Sequence, residues 1–381
     1  MSSYSPFPHA SACAKVQSQS CYTAFLQSLF FFFSWLFYSQ LAAANETTTK
    51  SAQNEEQINI TRPAIFKKSA PIYETKSCFS APFNSYDNWR AVIARKHQKK
   101  YGANSDKASK ASMKFDQLFS RENFVHYQAS LMCVTFGYKV DGQMVLGYAI
   151  APRESAGESP ILIYNRGGNG NFGGVVFGHM MAKLFPLAAQ NFIIIGSQYR
   201  GTFQKNSKAN DEFGGADVAD VVALQGLIPH LVAANSDKLG MFGASRGGMQ
   251  TFLAMRQMPN VKAVATLSGV SDLLADLNRR ANMENVYKKR IPNYAIQKEA
   301  LLKSRSVLYW LDELNPNVPI LIMHGEQDKR VDVANALALE KALLNKQHKH
   351  KLVLFPEAGH SLSKDTDSVT TELKQWFQQY L

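Results

Sequence analysis

One serine stands where its hydroxyl could act as a nucleophile. It is Ser245, within Leu239-Gly240-Met241-Phe242-Gly243-Ala244-Ser245-Arg246-Gly247-Gly248. An apolar run ends, a G-x-S-x-G turn follows and a helical segment begins, the signature of a sharp strand-to-helix bend that lifts the serine above a sheet edge. Side chains at Gly243 and Gly247 would collide across such a turn. A serine hydroxyl is a poor nucleophile until a base takes its proton and an acid orients that base. Both types occur further along, each after a later apolar run. Residues 318–323 lead into His324-Gly325-Glu326-Gln327-Asp328, and 352–355 lead into Pro356-Glu357-Ala358-Gly359-His360. Asp328 is the candidate acid, with Glu326 and Asp332 as rivals, and His360 is the candidate base. His324 reads as shaping the acid loop; His179, His230 and His348 read as structural. The plain alternative is a tight structural turn with an incidental serine.

Acyl chemistry also needs donors for a developing oxyanion. The backbone N–H of Arg246, at the amino end of the helix, is one candidate. The second should come from the loop after the run 161–164, which reads Asn165-Arg166-Gly167-Gly168-Asn169-Gly170. There the N–H of Gly167, or Arg166 itself, could serve. The loop carries no phosphate-binding lysine, and a dinucleotide site is not expected there. The chemistry needs no metal or organic cofactor.

These groups meet only if several loops reach one edge. Runs 131–140 and 144–150 flank Asp141-Gly142, which reads as a hairpin. After it, apolar runs at 161–164, 192–196, 239–242, 261–267, 318–323 and 352–355 alternate with helical stretches near 175–190, 216–232, 334–344 and 370–380. Such alternation predicts an α/β fold, a mostly parallel central sheet with helices on both faces. The charged stretch at about 271–312, with Arg279 and Arg280, interrupts the pattern and reads as an inserted helical cap. Residues 121–381 then form the catalytic domain, and 45–120 an extension: a polar tether to about 62, then a mixed, partly helical segment.

The chain has 381 residues, 45% hydrophobic and 19% charged, with a formal charge of +12, which fits a globular protein and excludes general disorder. The basic cluster Arg95-Lys96-His97 with Lys99-Lys100 reads as a solvated helix face, and nucleic acid is not an expected partner. Residues 1–44 read as a signal peptide: Lys15 is the only charge before Glu46, a Phe-rich apolar stretch covers 25–37, and Ala42-Ala43-Ala44 follows. An uncleaved anchor is the alternative, but Gln27, Ser28 and Ser34 break a segment already short for spanning. The expectation is therefore an exported protein, periplasmic or secreted, without stable membrane insertion after cleavage. Cleavage would leave Cys78 and Cys133, either paired or as two free thiols.

Taken together these motifs resemble the catalytic domain of the prolyl oligopeptidase family, of α/β-hydrolase fold. The resemblance rests on Gly243-Ala244-Ser245-Arg246-Gly247-Gly248, Tyr199-Arg200-Gly201, Glu212-Phe213-Gly214-Gly215-Ala216-Asp217-Val218, His324-Gly325-Glu326-Gln327-Asp328 and Gly359-His360, over residues 120–381. It implies a serine peptidase with Ser245 as nucleophile, Asp328 as orienting acid and His360 as general base. Two features depart from the family. Residues 45–120 are too few for even four propeller blades of about 40 residues each. Arg166 also stands where the family commonly places a tyrosine oxyanion donor. Tyr199, Arg200, Arg279 and Arg280 are the expected substrate-binding residues, with acidic or carboxylate-bearing substrates favoured by the positive charge. A carboxylesterase of the same fold and a non-catalytic binding protein on this scaffold are the alternatives. Oligomeric state is left open.

Overall fold

The computed structural model describes residues 64–381 except 104, 156 and 205–209. The expected signal peptide and polar tether lie outside the described residues. Among the described residues nine strands form one sheet: β1 Tyr73–Ser77, β2 Leu131–Val140, β3 Gln143–Pro152, β4 Ser159–Asn165, β5 Ile193–Ser197, β6 Ala234–Ala244, β7 Ala263–Leu267, β8 Ile320–Gly325 and β9 His350–Phe355. Their order is β1-β2-β3-β5-β4-β6-β7-β8-β9. The first three are antiparallel, and β5, β4, β6, β7, β8 and β9 run parallel.

The expected hairpin closes with Val140 opposite Gln143, and both turn residues, Asp141 (φ 49°) and Gly142 (φ 71°), take left-handed backbone. That geometry matches the twist of the flanking strands. In β4, Ile161 and Ile163 join one core while Leu162 and Tyr164 join the other, so each residue of the apolar run is buried on one face or the opposite one. Helices Arg246–Met255 and Ala334–Asn345 cover the first face through Met249, Phe252, Leu339 and Leu343. Thr366–Tyr380 covers the second through Leu373 and Phe377. This is the α/β-hydrolase architecture. Because β4, β6, β7, β8 and β9 point the same way, the loops that follow them leave the sheet at one edge.

Two elements differ from expectation. The stretch at 216–232 is a short α-helix, Asp217–Val222, continued by a 3₁₀ segment, Ala223–His230, that contains Pro229. Proline removes a helical donor and crowds the preceding turn, so the α-helix stops early. The region before 121 is also tied into the domain. Strand β1 pairs with β2, and Phe66 bridges to Leu231. Helices α1 Tyr86–Tyr101, α2 Asp106–Leu118 and α3 Arg121–Ser130 start at Ser85, Ser105 and Ser120, each hydroxyl capping a backbone N–H. Trp89 packs against Phe115, Phe119, Phe124 and Phe177. Four of the five residues in the basic cluster on α1 are exposed. Among the described residues no helix is long and apolar enough to cross a membrane.

Cys78 and Cys133 form a disulfide with a Cα separation of 5.3 Å, closing a sequence interval of 55 residues. It pins the segment after β1 to strand β2. Cutting such a loop free adds conformations chiefly to the unfolded chain. Replacing both cysteines by alanine is expected to cost about 2–4 kcal/mol in urea unfolding, and an unchanged midpoint would contradict this.

Candidate active site

Ser245 sits between β6 and helix Arg246–Met255 with φ 57° and ψ −124°, a conformation non-glycine residues rarely adopt. The bend is held by Ser245 N–H donating to Leu267 O at 2.8 Å and Gly248 N–H donating to Ser245 O at 2.9 Å. A Cβ at Gly247 would stand 1.9 Å from Asn165 O, and one at Gly243 2.0 Å from Gly247 O. Only glycine lets β6, the turn and the loop after β4 approach this closely.

The loops after β8 and β9 are laced together. Glu326 N–H donates to Phe355 O at 3.0 Å and Gln327 N–H to Ala358 O at 3.0 Å. This brings His360 Nδ1 to 2.7 Å from Asp328 Oδ2. The other carboxylate oxygen accepts the N–H groups of Arg330 at 2.8 Å and Val331 at 3.0 Å. Burial alone would raise the Asp328 pKa. Hydrogen bonds from His324, His360 and the Arg330 backbone outweigh it and hold the carboxyl well below the usual range. His324 Nε2 lies 2.9 Å from Val331 O, spanning the acid loop as its sequence position implied. The rival acids point elsewhere: Glu326 is exposed, and Asp332 pairs with Arg279 and caps the next helix through Ala334 N–H. Ser245 and His360 line the same cavity, with no hydrogen bond from Ser245 Oγ or His360 Nε2 among the described residues.

The Arg246 N–H occupies the first helical position, where no carbonyl of the helix can pair with it. Gly167 lines the cavity beside Ser245. The Arg166 side chain does not. It is fully buried and donates to the carbonyls of Gln198, Gly170, Gly167 and Phe172 and to Thr202 Oγ1. A guanidinium committed to five acceptors supports the loop and has no arm for an oxyanion, so any assistance from this position is indirect.

Three of the four expected substrate residues also stand outside the cavity. Tyr199 is buried, its ring stacked between the guanidinium groups of Arg166 and Arg246 at 4.7 and 4.9 Å, with its hydroxyl donating to Arg166 O. Arg200 is tied to Asp220 at 2.7 Å and Asp141 at 3.0 Å. Arg279 is spent on Asp332 at the surface. An arginine in a sequence motif carries no mark of which partner it will find, and here structural carboxylates took them. Arg280 alone lines the cavity. Below the elbow, the Arg246 side chain, 2% exposed, donates to Asp211 at 2.8 Å, Asp217 at 2.6 Å and Gly168 O at 2.8 Å. Asp217 in turn accepts the N–H groups of Glu212, Gly214 and Gly215. The Glu212–Asp217 motif is thus a clamp on the base of the elbow.

The cavity measures about 490 Å³, with walls chiefly of Tyr164, Phe172, Phe213, Phe242, Met283 and Tyr287. Its polar walls hold groups the sequence did not single out: Asp276 on the cap helix Leu273–Arg279, and Lys183 with Thr366 on the opposite side. Burial raises the Asp276 pKa to about 6, Arg280 opposing the shift and Asp328 and Asp332 adding to it. In the unfolded chain this carboxyl ionises near its ordinary value of about 3.9. The folded protein therefore holds the proton more tightly, and the contribution to stability is present at low pH and lost as pH rises through 6. Asp276→Asn removes the burden of burying an ion. Its melting temperature should exceed the parent's above pH 6, the gap closing towards about pH 4. A gap that is constant with pH would contradict this.

Comparison with known proteins agrees with the geometry. The model of the prolyl oligopeptidase family matches residues 178–381. The uncharacterized peptidase YtmA of Bacillus subtilis is 25% identical over 247 residues, 64% of this chain and 92% of YtmA. The uncharacterized peptidase YuxL of the same organism is 27% identical over 256 residues, 63% of this chain but 38% of YuxL. The acylaminoacyl peptidase of Pyrococcus horikoshii superposes with a TM-score of 0.57 at 18% identity, covering 68% of this chain and 44% of that enzyme. The chain thus spans nearly all of YtmA and less than half of YuxL and of the solved enzyme.

Proposed function

The chain belongs to the prolyl oligopeptidase family of serine-type peptidases, and from that premise we propose that it cleaves short peptides through an acyl-enzyme on Ser245. The observation that carries this is the 2.7 Å hydrogen bond from His360 Nδ1 to Asp328 Oδ2, with His360 lining one cavity together with a serine on a strained elbow. In this reading His360 Nε2 takes the proton of Ser245 as Oγ attacks the peptide carbonyl. Asp328 holds Nδ1–H and stabilises the imidazolium. The N–H groups of Arg246 and Gly167 receive the oxyanion. His360 then protonates the departing amine, and water, activated by the same imidazole, frees the acyl group.

Ester cleavage uses the same parts, and the leaving group separates the two activities. The test is labelling by a fluorophosphonate probe at Ser245, followed by turnover of matched peptide amides and esters. Turnover of the amides supports a peptidase, and turnover of esters alone makes the protein an esterase. A folded protein that never labels is a binding protein on this scaffold. We also propose that the protein works after export, in an oxidising compartment. The sequence pattern of residues 1–44 and the Cys78–Cys133 disulfide support that placement.

A further inference from the structure

We infer that the cavity wall beyond His360, formed by Lys183, His179, Thr366 and Thr370, is a carboxylate site that reads the free C-terminus of the leaving portion of a short peptide. This rests on the peptidase reading above.

Lys183 lines the cavity, and its Nζ donates to Thr366 Oγ1 at 2.9 Å. It forms no ion pair among the described residues, and burial lowers its pKa, with the more distant Asp365 opposing the shift. Asp365, whose buried Oδ2 has no hydrogen-bond partner among the described residues, attracts this ammonium without forming an ion pair, so a carboxylate hydrogen-bonded to Nζ would lower the cost of keeping it desolvated. Four residues earlier, His179 lines the same wall with its ring stacked on Tyr164 at 5.4 Å. Its Nε2 is shut off from solvent and has no hydrogen-bond partner among the described residues. Burial holds this imidazole neutral at pH 7, its pKa lowered to about 4. The neutral ring leaves Lys183 as the cationic donor of this wall. The Thr370 hydroxyl donates to Thr366 O at 2.8 Å and so adds no free donor to the wall, and Phe242, Leu362 and Leu373 surround it.

The position assigns this wall to the leaving portion. His360 must protonate the departing nitrogen, so that portion stands beside the imidazole. From His360 the chain runs along the cavity through Ser361 and Leu362 to Thr366. Tyr287 of the cap belongs to the core on one sheet face, whereas Leu362 and Leu373 belong to the core on the other. The cap side is thus left for the acyl portion. A cavity of about 490 Å³ accommodates only a few residues, which places a terminal carboxylate within one or two residues of the scissile bond.

The test uses the full chain and peptides with one acyl portion and three leaving groups: alanine with a free carboxylate, alanine amide and glutamate amide. The free acid should exceed alanine amide in kcat/KM by roughly tenfold or more, as for a charge-assisted hydrogen bond. Lys183→Met should shrink that ratio to within about threefold, and Lys183→Arg should keep part of it. Equal rates for acid and amide in the parent, or a ratio that survives Lys183→Met, would overturn the inference. The latter would leave Lys183 as a structural partner of Thr366 and Asp365. Glutamate amide matching the free acid would assign the site to acidic side chains and overturn the C-terminal reading. If the parent labels with fluorophosphonate but cleaves none of the three, protection decides. Slower labelling with the free acid than with the amide supports the site, and equal labelling removes it. No labelling at all defeats the hydrolase reading and this inference with it.

Discussion

Ser245→Ala is expected to lower kcat by about a millionfold, to the residual rate that binding and the oxyanion donors supply. The protein should remain folded, because Ser245 Oγ carries no hydrogen bond among the described residues and alanine inherits the same backbone conformation. Asp328→Asn should be milder, about ten-thousandfold, since it disturbs the tautomer and the imidazolium but leaves the nucleophile. Steady-state kinetics on one peptide and one ester, with circular dichroism to verify folding, measures both. Ser245→Ala retaining more than about a thousandth of parental kcat would remove Ser245 from the chemistry.

The second large effect falls on stability. Asp217→Ala is expected to destabilise the protein by about 3–5 kcal/mol, because it strips one of two carboxylates from a buried guanidinium. Arg246 would keep Asp211, but Nη2 would lose its partner and the N–H groups of Glu212, Gly214 and Gly215 would lose their acceptor. Urea unfolding checks this against Arg279→Ala, whose exposed pair with Asp332 should be worth less than about 1 kcal/mol. Equal costs for the two substitutions would show that burial does not govern these pairs. The Asp217 variant should also lose turnover, since the Arg246 side chain anchors the first residue of the elbow helix.

The contrast between these arginines shows what a sequence can reveal here. The elbow was legible because its demand is local: glycines two positions either side of Ser245 are dictated by contacts within the turn and its nearest neighbour. Asp328 and His360 were legible because each follows an apolar run, and parallel strands deliver such ends to one edge. Arg166 was expected beside the oxyanion, and Tyr199, Arg200 and Arg279 at the substrate, yet none lines the cavity, because their neighbours in the sequence do not reveal which way they face. Asp276 and Lys183 lie on helical segments with no motif around them, and only the convergence of distant walls makes them notable. Strand β1 was missed because all five of its residues, Tyr-Glu-Thr-Lys-Ser, are exposed and show no apolar alternation.

The aromatic clamp from the first helices carries a consequence of its own. Phe177, two residues before His179, is gripped by Trp89 at 4.9 Å and Phe83 at 4.5 Å, and Phe185, two residues after Lys183, by Phe79 and Tyr127. Sequence drift in that amino-terminal layer can therefore tilt the wall opposite the cap without disturbing the nucleophile. A lineage built on this scaffold could retune which ligands the cavity accepts by editing residues more than a hundred positions upstream of Ser245.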